Sequence, residues 1–214
     1  MAPTVGGGGG GEPRHRDIGA FDERAAAYEE GWRGRLHHDI VDRVLDIALA
    51  LDPAPARVLD VGCGTGYLLR RLAQRLPEAV SLEGVDPAPA MVAAATAAGA
   101  DPRLHVGAGV AEDLPVPDGT VDLVVATTSF DHWADQRAGL GEVARVLRPG
   151  GHLVLADLFS LWLVPTLLGA RRGRARTLGR VRALLGASGL AVLGHHDLHV
   201  VVQAVSAVKG GAPA

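Results

Sequence analysis

From Arg57 onward the chain alternates short apolar runs with amphipathic stretches, and this alternation constrains its fold more than any other feature. RVLDV, VSLEGVD, RLHVGAG, TVDLVVAT and GGHLVLADLF read as strands. GYLLRRLAQRL, APAMVAAATAAG and QRAGLGEVARVL read as helices between them, the second opened by prolines and ended at Gly99. An Asp118-Gly119 turn introduces the TVDLVVAT strand. Strands separated by helices pair in parallel, so the pattern predicts a Rossmann-like, doubly wound α/β sheet with helices on both faces. The end of the chain breaks the alternation. GLAVLGHHDL and HVVVQAVSAVK are separated by only a short polar break. A parallel crossover needs a dozen residues or more, so these two strands must form an antiparallel hairpin. No internal repeat and no second domain is visible in the 214 residues.

Upstream of the alternation, FDERAAAYEEGW and RLHHDIVDRVLDIALAL carry helical spacing, with Leu36, Ile40, Val44, Ile47 and Leu51 recurring at three or four. Pro53 and Pro55 stop the second helix. Residues 18–52 are therefore expected to form a helical lid ahead of the sheet, weakened between Gly31 and Gly34. Residues 1–17, with a run of six glycines, read as a flexible tail. Residues 18–214 then make one domain. The start of the sequence lacks the apolar core of a secretory signal. LFSLWLVPTLLG is too short for a membrane span and holds Pro165. A net charge of -3 gives no indication of a nucleic-acid partner. The single cysteine, Cys63, rules out an internal disulfide framework and a zinc cluster. The expected compartment is the cytoplasm.

The chemistry is concentrated in RVLDVGCGTGY. Gly62, Gly64 and Gly66 follow the first strand at every second position. In an open parallel sheet, ligands sit beyond the carboxyl ends of the strands, and glycines there let a ligand approach the main chain. The spacing departs from the dinucleotide fingerprint, because Tyr67 stands where the third glycine belongs. Asp86 ends the next strand twenty positions after Gly66, the distance at which an acid catches a ribose hydroxyl pair. Asp60 places a second carboxylate beside the loop. That suits an ammonium group and repels a pyrophosphate. A ribose, a cationic amino-acid end and no phosphate together describe S-adenosyl-L-methionine.

Four segments in series, VLDVGCGTG (58–66), GVDPAPAMV (84–92), AEDLPVPDGTVDLVV (111–125) and ARVLRPGGHLVLAD (144–157), resemble the class I S-adenosylmethionine-dependent methyltransferases. They look most like the small-molecule branch that includes the ubiquinone and menaquinone biosynthesis enzymes. The resemblance implies a seven-stranded sheet in the order 3-2-1-4-5-7-6. It implies that Asp60 and the Gly62–Gly66 backbone, Cys63 included, hold the methionine end and that Asp86 binds the ribose. Pro87, Met91, Val110, Ala111 and Glu112 would lie around the adenine, Thr127 near the methionine part, and Tyr28 in the lid. In SFDHWAD Asp131 stands where many relatives have the first of two histidines; His132, which follows the fourth strand where the acceptor would meet the methyl group, is the first candidate base and Asp131 the second.

Other candidates have plainer readings. Cys63 is a small buried side chain, badly placed for a nucleophile. His37 and His38 lie on the lid helix, where one can face the pocket. His195, His196 and His199 lie on or beside strands that send neighbours to opposite faces, with no carboxylate cluster to complete a metal site. The basic run ARRGRARTLGRVR (170–182) reads as a solvated surface. The expected activity is methyl transfer to an oxygen, nitrogen or carbon atom of a small molecule, without nucleic acid or membrane as partner; the sequence leaves the oligomeric state open. Two other readings compete: a non-catalytic module that binds the cofactor, and an RNA or protein methyltransferase. TTSFDHW lacks the proline-proline-aromatic motif that often serves the latter.

Overall fold

A computed structural model of the chain describes residues 18–19, 31–77, 81–159 and 177–211. The glycine-rich tail, residues 20–30 of the expected lid with Tyr28 among them, and residues 170–176 of the basic run lie outside the described residues.

Helix α1 (Gly31–Leu51) precedes β1 (Arg57–Val61), α2 (Tyr67–Arg75), β2 (Ser81–Asp86), α3 (Pro89–Ala98) and β3 (Leu104–Ala108). Then come β4 (Val121–Thr127), α4 (Gln136–Val146), β5 (Leu147–Asp157), α5 (Leu178–Ala187), β6 (Leu190–Asp197) and β7 (Gln203–Lys209). The strands form one sheet in the order β3-β2-β1-β4-β5-β7-β6. The pairs from β3 through β5 are parallel, whereas β7 runs antiparallel to both β5 and β6. This is the topology expected above, terminal hairpin included.

Strand periodicity divides the core. Val58, Leu123, Val125 and Val154 face Val44, Leu45, Leu69 and Leu72 of α1 and α2. Leu59, Val124, Ala126 and Leu155 face Leu140, Val143, Val181 and Leu185 of α4 and α5. Successive residues of one strand point to opposite faces, so a strand buried on both sides must be apolar throughout. Truncating a fully buried leucine such as Leu59 to alanine is expected to cost about 2–5 kcal/mol.

Three boundaries differ from the sequence pattern. Helix α1 runs unbroken through Gly34, and Leu36 is exposed while Val41 and Leu45 are buried in its place. Strand β5 starts at Leu147, before the glycine pair, with a register slip against β4 between Val121 and Leu123. His199–Val202 do not join β7, because the Leu198 and His199 N–H groups both bond the Val202 carbonyl and close a tight turn.

The chain passes from β1 outward to β2 and β3, then returns across β1 to β4. The crevice between β1 and β4 is therefore the switch point where the connections diverge, and both strands end there.

Candidate active site

The turn leaving β1 requires its glycines. Gly62, Gly64 and Gly66 have φ of 78°, 53° and 75°, in the left-handed region that glycine enters without steric cost. The turn is tied to β2 by the Gly62 and Cys63 N–H groups, which both donate to the Val85 carbonyl at 2.8 and 3.1 Å. It is tied to the end of β4 by Ser129, whose hydroxyl donates to the Val61 carbonyl at 2.7 Å. A Cβ on Gly62 would stand 2.4 Å from Ser129 Cβ, so the close approach also excludes any side chain. Asp86 accepts the Gly64 N–H through Oδ2 and the Ala88 N–H through Oδ1, both at 2.9 Å. Its carboxylate thus braces the glycine turn from β2.

The end of β4 forms the facing wall. Thr127 is buried, and its Oγ1 has no hydrogen-bond partner among the described residues. Thr128 has φ 53°, the one described non-glycine residue with positive φ. A β-branched residue adopts that conformation at a cost of about 1–3 kcal/mol and keeps it only where its surroundings enforce it. Here its N–H donates to the Ala156 carbonyl at 2.8 Å. A single 3₁₀ turn, Phe130–His132, follows. The Phe130 ring packs edge-on against Trp133 at 5.0 Å between centroids.

These segments line an open cleft, about 820 Å³ with the solvent at its mouth included. Gly62, Cys63, Gly64, Asp86, Pro87 and Met91 line it from the β1 and β2 side. Val110, Ala111, Thr127 and His132 line it from the other. Asp60, Gly66, Glu112 and Asp131 are not in its wall. Asp60 sits beneath the turn, only 2% exposed. Gly66 caps α2 and packs on Ala95. Glu112 accepts the Asp135 N–H at 2.9 Å and so fixes the start of α4. Asp131 is buried behind the wall, its N–H donating to Asp157. The cleft also takes in Thr65, Gly109, Thr128, Ser129 and Trp133, which the sequence reading passed over, and His37 of α1. The run of three hydroxyl residues, Thr127 to Ser129, at a strand end was the signal available for them. His38 instead stacks on Tyr67 at 3.8 Å.

The electrostatics are those of buried acids. Burial, reinforced by the Asp86 charge, pushes the Asp60 carboxyl up to about 8. Burial likewise pushes the Cys63 thiol well above its ordinary value, with Asp60 and Asp86 adding to it, so the sulfur stays neutral. Cys63 packs against Gly84, where a Cβ would meet its sulfur at 2.8 Å. Among the described residues no group of three His, Cys, Asp or Glu is placed to hold a metal ion. His196 bonds Ser206 at 3.1 Å and His199 bonds Asp39 at 2.7 Å.

This arrangement suits S-adenosyl-L-methionine. The Gly62 cradle admits a ligand against bare backbone. The buried Thr127 hydroxyl calls for a partner. Asp86 lines the cleft and offers a carboxylate to hydroxyls, while Asp60 beneath the turn, pushed up to about 8, holds a charge that a nearby cation would draw out. The comparison with known proteins agrees. Residues 59–155 match the family model described as a methyltransferase domain. Residues 59–155 thus carry the pattern of a methyltransferase domain. Its family uses S-adenosyl-L-methionine as cofactor. An uncharacterized methyltransferase of Mycobacterium tuberculosis is 40% identical over 137 residues, 64% of this chain and 51% of that protein. The demethylmenaquinone methyltransferase of Thermus thermophilus is 42% identical over 115 residues, 52% of this chain and 51% of that one. The chain thus spans about half the length of these curated relatives. Among solved structures, a chain from the complex of the Haloferax volcanii Trm112 methyltransferase activator with a methyltransferase superposes with a TM-score of 0.77. The match covers 94% of this chain and 99% of that one at 22% identity, which speaks for the fold alone.

Proposed function

We propose that the protein transfers the methyl group of S-adenosyl-L-methionine to an oxygen, nitrogen or carbon atom of a small molecule. The observation that carries this reading is the convergence, in one cleft, of the glycine turn, Asp86, the unpartnered Thr127 hydroxyl and His132. The names of relatives point the same way: one is a demethylmenaquinone methyltransferase, and another, from Hahella chejuensis, is a malonyl-acyl-carrier-protein O-methyltransferase, 36% identical over 114 residues. We assign the methionine end to Asp60 and the Gly62–Gly66 turn, and the ribose to Asp86. Pro87, Met91, Val110 and Ala111 surround the adenine. Residues 18–214 act as one domain, with the start of α1 bordering the cleft through His37 and the rest of that helix packed on the sheet.

When bound, the cofactor supplies an electrophilic methyl group on a good leaving group. The chain's residues then have to hold the acceptor in line and keep water out, and such alignment is worth up to about 7–11 kcal/mol. Thr128, Ser129, Trp133 and His37 wall the side of the cleft left for the acceptor. His132 takes a proton from an acceptor hydroxyl or ammonium; an acceptor that is already nucleophilic needs no base.

Calorimetric titration with S-adenosylhomocysteine tests the cofactor assignment. We expect one site, with Asp86→Ala weakening it by about 1–3 kcal/mol through lost hydrogen bonds. Normal affinity in a folded Asp86→Ala protein rejects the ribose role. Product mass spectrometry over phenols, quinols, amines and carboxylic acids identifies the acceptor class.

A further inference from the structure

The His132 ring hangs from a turn of only three residues, and such a turn has little hydrogen bonding of its own. Within it, the His132 N–H bonds the Ser129 carbonyl at 2.9 Å, and the Trp133 N–H bonds the Phe130 carbonyl at 3.3 Å. What fixes it comes from outside. The buried Gln136 amide donates to the Phe130 carbonyl at 3.0 Å from α4. From the end of β5, Asp157 Oδ2 accepts the Asp131 N–H at 2.9 Å, while Oδ1 accepts the Leu158 N–H at 2.7 Å. Asp157 is 3% exposed, so these N–H bonds form away from bulk solvent.

A buried carboxylate at this place is costly. Burial pushes the Asp157 carboxyl above its ordinary value, the nearby Asp131 adds to this, and the two N–H groups and His132 oppose it. An asparagine or a serine could accept one of the two N–H bonds without the charge. A carboxylate accepts one N–H on each of its two oxygens, as Asp157 does here.

We propose that Asp157 is a positioning residue for proton transfer: by gripping the Asp131 N–H it locks the Phe130–His132 turn and holds the His132 ring against the acceptor side of the cleft. The proposal rests on the reading of His132 given above, and it requires that Asp157 act through His132 rather than through the fold at large.

The test uses the full chain saturated with S-adenosylhomocysteine and follows the imidazole carbon–proton correlations by NMR. His132→Ala assigns the His132 signal. In Asp157→Asn, the His132 signal should shift or broaden while that of His152, on the same strand, stays in place. An unmoved His132 signal in a folded Asp157→Asn protein overturns the proposal. If that variant does not fold, the unaltered chain decides: the Asp131 amide should exchange slowly with solvent, and rapid exchange also overturns the proposal. Kinetics on the acceptor found by product screening supply a second arm. Asp157→Asn should lower kcat by ~10²-fold, as a small misplacement does, with KM and cofactor affinity nearly unchanged. In a His132→Ala background the same substitution should cost nothing further, because residues acting as a unit are not additive. An equal loss in both backgrounds marks Asp157 as merely structural. No binding of S-adenosylhomocysteine by the parent protein sinks the methyltransferase reading instead, and the amide exchange of the ligand-free chain still judges Asp157.

Discussion

The two ends of the parallel sheet treat the same residue type in opposite ways. At the strand starts, acids are matched by arginines. Arg57 pairs with Glu83 at 2.5 Å, Arg148 pairs with Asp122 at 2.5 Å, and Asp122 also accepts the Arg57 N–H at 2.8 Å. Burial pushes Asp122 upward, but the Arg148 guanidinium and the backbone N–H groups more than offset it, and its carboxyl lies below the ordinary value. Glu83 shows the same balance with Arg57 and Ser81. At the strand ends, Asp60 and Asp157 are buried more deeply, no arginine or lysine among the described residues faces them, and both lie above the ordinary value. A protein that needs acids only for its fold pairs them. Asp157 spends its charge on the Asp131 and Leu158 N–H groups, whereas Asp60, desolvated beside the Asp86 charge, is a place where a ligand's charge can complete the electrostatics.

The largest expected effect breaks the functional end alone. With an acceptor whose nucleophile starts protonated, His132→Ala should lower kcat by about 10²- to 10⁴-fold while leaving cofactor affinity nearly unchanged. Turnover by this variant equal to the parent's across pH 6 to 9 removes His132 from the mechanism. Next comes the cradle. Gly62→Ala forces a Cβ into Ser129 and a residue into left-handed backbone. It should cost roughly 1–3 kcal/mol of stability and most of the cofactor affinity. Unchanged binding would show that the ligand does not use this turn.

At the strand starts, Asp122→Ala should destabilise the fold by about 1–3 kcal/mol, since it strands a part-buried N–H and a guanidinium. Cofactor affinity should not change. Because the folded carboxyl lies below its ordinary value, the Asp122 contribution is present above pH 4 and is lost as pH falls through the folded value. Urea titrations at pH 3 and pH 7 measure the difference. The remaining effect has the opposite sign. Folded Asp60 keeps a proton up to about pH 8 that the unfolded chain releases near 3.8, so ionisation lowers the stability of the ligand-free protein as pH rises between these values. Asp60→Asn should therefore raise the melting temperature at pH 8 to 9 while weakening the cofactor. If both substitutions destabilise alike, the contrast between the two ends is wrong.

The sheet was legible because its strands are apolar on both faces and its helices are not, a difference that periodicity reports directly. The glycine turn and Asp86 were legible for a related reason: backbone angles and a strand-end acid leave few residue choices. What escaped lies in contacts that sequence spacing does not encode. Nothing in TTSFDHW says that Thr128 takes positive φ or that Ser129 reaches back to the Val61 carbonyl. Glu112 follows Val110 and Ala111 in sequence, but its Oε1 accepts the Asp135 N–H and the residue does not line the cleft. Asp157 read as the last residue of a strand, and only the fold brings it under the His132 turn.

The most direct test of the unpaired-acid account is proton release on cofactor binding. Titration of the protein with S-adenosylhomocysteine at pH 7, in two buffers of different ionisation enthalpy, counts the protons exchanged. The ligand's ammonium should draw Asp60 into its ionised form, so the parent protein should release up to about one proton and bind more tightly as pH rises toward 8. Asp60→Asn should lose that release. Binding with the same proton count in both proteins, or affinity that does not vary from pH 6 to 8, contradicts the account.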